Sequence, residues 1–125
     1  MQKWILSLAT LFGASGVMLG AFAAHGLRGS LSERLLETFQ TGVQYQMYHA
    51  LALWAVGILY RLWPSKLLAW AAGLFIVGIL LFSGSLYVLA LGGPRWFGSI
   101  TPLGGVCYIA AWICLATACW RLPKS

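Results

Sequence analysis

Apolar residues fall into four long runs separated by short polar breaks. The first, from about Trp4 to Ala24, is interrupted only by small or hydroxyl-bearing residues such as Ser7, Thr10 and Gly13. At ~1.5 Å per residue it makes ~30 Å of helix, the thickness of a bilayer's hydrocarbon core. Further runs cover roughly 41–60, 67–91 and 101–120. The pattern predicts an all-α membrane protein, a four-transmembrane-helix bundle forming a single integral membrane domain over 1–125.

Between the first two runs the periodicity changes. In "SLSERLLETFQ", Leu31, Leu35, Leu36 and Phe39 form an apolar stripe beside Glu33, Arg34, Glu37 and Gln40. Ser30 reads as an N-cap, with Glu33 three positions on completing a capping box. This predicts one amphipathic helix over roughly 31–40 on the outer side, in the interface or packed on the bundle mouth, bending near Gly42 into the second span. Thr101 is the expected N-cap of the fourth span, with Pro102 at the first helical position, where its missing N–H costs nothing.

Lys3 and the "AFA" of Ala21–Ala23 give the first run some likeness to a signal peptide with its cleavage site. The run is nonetheless long enough to span. Gly13, Gly16, Gly20 and Ala24 recur at intervals of three or four, one small-residue face for close helix packing. A retained span is the expectation.

The second run carries the most information. From Met47 to Tyr60 it has only 14 mostly apolar residues, ~21 Å of helix, short of the ~30 Å required. To span, it must take in Thr41, Gln44, Tyr45, Tyr48 and His49, which share one helical face. Such a stripe should face protein or water rather than lipid. Counting from Arg61 puts His49 ~18 Å along the helix, and counting from Lys66 puts Ser83 and Ser85 at ~26 to 28 Å. With Thr101 opening the fourth span and His25 closing the first, all nine residues gather in one half of the bundle as a candidate polar pocket. Within it, His49, Tyr45 and Ser83 are expected to face one another. Gly84, Gly104 and Gly105 are expected to let the helices approach closely.

Composition sharpens this picture. Hydrophobic residues make up 61%, charged residues 8%, and mean hydropathy is +0.84, against about 25% charged in soluble domains. The net charge of +6 does not signal nucleic acid, because the basic residues sit at the ends of the apolar runs. Lys3, Arg61, Lys66, Arg121 and Lys124 fall on one side of the predicted bundle, and Arg28, Arg34 and Arg95 on the other with Glu33 and Glu37. Five cations against three place both termini in the cytoplasm. Trp4, Trp63, Trp96 and Trp120 near the span ends fit an aromatic belt.

Little in the chain points to chemistry. His25 and His49 differ by about 10 Å in depth on the helix-rise count, and no third ligand accompanies them, so neither a metal nor a bis-histidine haem is expected. Cys107, Cys114 and Cys119 lie in the last run without a CxxC spacing and read as small apolar helix residues. No nucleophile, phosphate-binding or zinc-protease motif occurs, so no catalytic residue and no cofactor are assigned. Polar side chains buried between membrane helices can also serve simply as hydrogen-bonded struts, each contributing ~0.6 to 2 kcal/mol.

Four blocks, "LGAFAAHGL", "TGVQYQMYHALAL", "LFSGSLYVLAL" and "ITPLGG", resemble in order and spacing those of the small membrane proteins grouped as domain of unknown function 423; the transmembrane protein 256-like proteins are similar. The resemblance maps family positions onto His25, Gly26, Thr41, Gly42, Tyr45, Gln46, His49, Ser83, Gly84, Ser85, Tyr87, Thr101, Pro102, Gly104 and Gly105. Ala23 departs from it, where glycine is common. It implies a four-helix inner-membrane protein and no established activity. The leading expectation is a binding or accessory protein whose partners are the lipid bilayer and, through the glycine face, a second copy or another membrane protein. The alternative is a small transporter or channel component acting as an oligomer, and a haem- or quinone-linked redox protein is the third.

Overall fold

The computed structural model describes residues 2–123, and every regular element among them is helical. Helix α1 runs Gln2–His25, α2 Glu33–Leu62 and α3 Lys66–Gly78. A π-helical turn, Ile79–Ser83, joins α3 to α4, Gly84–Ala90, in one column; a 3-10 turn, Arg95–Ser99, then leads into α5, Ile100–Trp120. Three columns, Lys3–His25, Lys66–Ala90 and Arg95–Trp120, are long and apolar enough to cross a membrane. The fourth is α2, whose 30 residues make ~45 Å of helix. Lys124, which the orientation count includes, lies outside the described residues.

The separate amphipathic helix expected over 31–40 is not formed. Its residues are the first turns of α2, which continues unbroken through Gly42 to Leu62. The cap is Ser32, whose side chain accepts the Leu35 N–H at 3.2 Å. Ser30 instead lies in the preceding turn, its N–H bonded to the Leu27 carbonyl, with Gly29 at φ 87° in the left-handed region that glycine alone enters freely. Gly42 is not a bend but a contact point. A Cβ there would sit 2.7 Å from the Tyr87 ring and 3.3 Å from the Ser83 carbonyl, so glycine lets the third column close on α2.

The helices run alternately up and down. Leu6 lies against Gly57, Met47 against Gly16 and Val43 against Gly20, an antiparallel seam along the full length of α1. The end of the bundle near Trp63 is filled by an apolar core of Ile5, Leu53, Val56, Leu68, Phe75 and Leu115 among small alanines. The opposite end, near Gly92, is closed by Ala23, Leu27, Phe39 and Ala90, with Leu31 and Leu36 packed on them. The buried polar residues Gln46, His49, Ser83 and Ser85 lie between these two plugs.

Candidate functional site

Gln46 is the junction of the polar layer. Only 3% exposed, its amide N–H groups donate to the Phe12 carbonyl at 2.8 Å and to Ser15 Oγ at 2.9 Å. Its Oε1 accepts the Tyr87 hydroxyl at 2.6 Å. One side chain on α2 thereby ties α1 to α4. In hydrocarbon, where water cannot substitute, an amide left without partners is costly, so this saturation is what allows glutamine at that depth.

His49, 5% exposed, is one helical turn further along. The Trp112 indole N–H donates to Nε2 at 3.1 Å. Nε2 is therefore the acceptor, and Nδ1 carries the proton that it donates to the Tyr45 carbonyl at 2.7 Å. The imidazole lies flat on the Tyr108 ring, centroids 3.6 Å apart and planes within 4°, with Phe75 on another side at 5.7 Å. Both ring nitrogens are used within this cluster. His25 ends α1 with its ring exposed and does not join it.

The serines stitch the third column to its neighbours. Ser83 Oγ donates to the Gly42 carbonyl at 2.6 Å. Ser85 Oγ donates to the Phe82 carbonyl at 2.9 Å and shares a short bond with the Thr101 hydroxyl, which must supply the proton there. Ser83 closes the π-helical turn, an irregularity that recurs at functional sites in long helices. Among the described residues, the buried hydroxyl of Tyr108, a residue 4% exposed, makes no well-formed hydrogen bond, although the Ser83 side chain lies beside it.

The rest of the predicted stripe lies at the rim. Thr41 is half-buried, its hydroxyl donating back to the Glu37 carbonyl. Gln44 is exposed, and Tyr48 is 52% exposed. Tyr45 is part-exposed with its ring on Phe82, centroids 4.8 Å apart. The sheltered face of α2 is instead Phe39, Gly42, Gln46, His49, Leu53 and Val56, rotated so that His49 alone belongs fully to both. Ser83 bonds Gly42 rather than His49 or Tyr45. Sequence reasoning left Gln46 and Tyr87 out of the pocket and missed Ser15, Tyr108 and Trp112. The spacing Gly42–Gln46–His49–Leu53 was the available signal for Gln46.

The glycines divide similarly. Gly16 and Gly20 face Met47 and Val43 of α2, and Gly104 meets the backbone of Phe82. Gly13, Gly84 and Gly105 have no atom within 4 Å of an added Cβ, so these three make no close helix contact, and Ala24 is exposed beside the first turns of α2. Among the described residues, no three His, Cys, Asp or Glu side chains gather in a metal-holding group.

A family model described as a protein of unknown function, DUF423, matches residues 19–105, which include Gln46, His49, Ser83 and Tyr87. The chain belongs to the DUF423 family. The UPF0382 membrane protein YwdK of Bacillus subtilis is 44% identical over 94% of this chain and 96% of its own length. A UPF0382 membrane protein of Staphylococcus haemolyticus is 40% identical over 96% of this chain and 98% of its own. The UPF0382 inner membrane protein YgdD of Escherichia coli K12 is 34% identical over 98% of this chain and 94% of its own. No solved structure matches. This DUF423 member is accordingly a membrane protein, with apolar helices that suit the bilayer.

Proposed function

We propose that this chain is a binding protein of the inner membrane, with both termini in the cytoplasm and its site in the polar layer between α2, α4 and α5. The single observation that carries the reading is the Tyr108 hydroxyl, buried beside the Ser83 side chain without a well-formed hydrogen bond. A buried donor left unpaired costs ~1 to 3 kcal/mol, and a small molecule bearing an acceptor oxygen relieves that cost. The His49, Phe82 and Tyr45 rings pack around the Tyr108 ring, and Tyr45 and Trp112 are part-exposed. The apolar core beneath the polar layer favours binding over passage, since a solute would have to displace Leu53, Phe75 and Leu115.

Tyr108→Phe tests the reading by the sign of its effect. If the hydroxyl holds a ligand, native mass spectrometry of the nanodisc-embedded protein shows a small non-lipid molecule that the variant releases, and the variant melts at lower temperature. If the wild type carries no such molecule and the variant is the more stable by ~1 to 3 kcal/mol, as removal of an orphan donor predicts, the reading is overturned.

A further inference from the structure

A cationic pocket and an apolar groove meet at Lys66. The pocket, about 490 Å³, lies at the Trp63 end of the bundle, where the α2–α3 turn approaches the end of α5. Trp63, Ser65 and Lys66 form one wall, and Ala118, Arg121 and Leu122 the other. The groove, about 390 Å³, starts at the same Lys66 and follows the outward face of α3. It is lined by Ala69, Trp70, Gly73, Leu74 and Val77 beyond Lys66.

We propose that this continuous surface binds one anionic phospholipid, with the phosphate between Lys66 and Arg121 and an acyl chain along α3. Charge supports the head position. The chain has two carboxylate side chains, Glu33 and Glu37, and both belong to the opposite end of α2, with Glu33 ~42 Å along the helix from Arg61. Arg61, in the last turn of α2, adds a third cation near the pocket. Length supports the tail position: Lys66 to Val77 covers ~16 Å of helix, about half of the ~30 Å hydrocarbon core and so the depth of one leaflet. A free phosphate would account for the pocket but not the groove, and a zwitterionic lipid for the groove but not the paired cations. Basic pockets between membrane helices recognise lipid head groups in this way. The proposal goes beyond the binding reading above and shares no residue with it, so either can fail alone.

The test is competitive lipid retention by the full chain in detergent micelles, read by native mass spectrometry with phosphatidylglycerol and phosphatidylcholine of identical chains. The wild type should hold one phosphatidylglycerol with a preference of about thirtyfold, the value for two cations near an anionic head group. The double variant Lys66→Gln/Arg121→Gln should lose that preference, whereas Arg28→Gln/Arg34→Gln at the other end should keep it. Gly73→Leu fills the groove from a position where a Cβ meets nothing within 4 Å, so it should lower phosphatidylglycerol retention at an unchanged melting temperature. Equal retention of the two lipids by the wild type, or a preference surviving in Lys66→Gln/Arg121→Gln, overturns the proposal. So does displacement of the lipid by inorganic phosphate together with indifference to Gly73→Leu, which would mark a simple anion site.

Discussion

At the scale of single residues, the polar layer is held by partners rather than by solvent, and this makes neighbouring substitutions unequal. Gln46→Leu removes three hydrogen bonds and takes from the buried Tyr87 hydroxyl its acceptor, while the Phe12 carbonyl keeps the Ser15 hydroxyl. It should lower unfolding free energy by ~1 to 3 kcal/mol, measured by denaturant titration in mixed micelles. Gln44→Leu, on the exposed face of the same helix, should stay within about 0.5 kcal/mol of wild type. A glycine pair gives a second contrast. Gly42→Ala drives a methyl into the Tyr87 ring and should cost ~1 to 3 kcal/mol, while Gly84→Ala enters open space and should be close to neutral. What sequence revealed here was which residues are too polar to face lipid. Which of them are truly buried depends on the rotation of α2 about its axis. Thr41, Gln44, Tyr45, Tyr48 and His49 satisfy helical spacing just as well as Gly42, Gln46, His49 and Leu53, and only the positions of Tyr87 and Trp112 on other helices decide between the two faces.

At the scale of elements, the ends of the apolar runs were legible because caps and turns are local chemistry. Ser65 and the short Trp63–Ser65 link separate α2 from α3 close to the predicted boundary. The fusion of 31–40 with the second span was not legible, since the low helix propensity of Gly42 reads as a break until the Tyr87 ring that requires it is in place. The π turn could not be read from periodicity either. It holds one residue more per turn than an α-helix, and that yields a prediction about deletions. Removing Leu80, exposed within the π turn, should let the turn revert to α geometry with α3 and α4 still in phase. Removing Leu51, equally exposed in regular α2, turns the preceding residues by ~100° and parts Gln46 from the face that carries Leu53. The Leu80 deletion should therefore retain a cooperative thermal transition by circular dichroism, and the Leu51 deletion should lose it.

At the scale of the whole molecule, the proposed orientation rests on charge counts alone, and it can be tested chemically. In a variant with Cys107, Cys114 and Cys119 replaced by alanine, a cysteine at Ser30 should react with a membrane-impermeant maleimide on intact cells. A cysteine at Pro64 should react only after permeabilisation. The reverse pattern would invert the assignment drawn from five cations against three. The antiparallel seam between α1 and α2 has a consequence for how the chain enters the membrane. Alone, α2 presents Gln46 and His49 to lipid and is not among the helices apolar enough to cross. Beside α1, the glutamine amide finds Ser15 and the Phe12 carbonyl at once. The first two helices are therefore expected to enter the bilayer as a hairpin, with the polar side chains of α2 paired by α1 as the two come together.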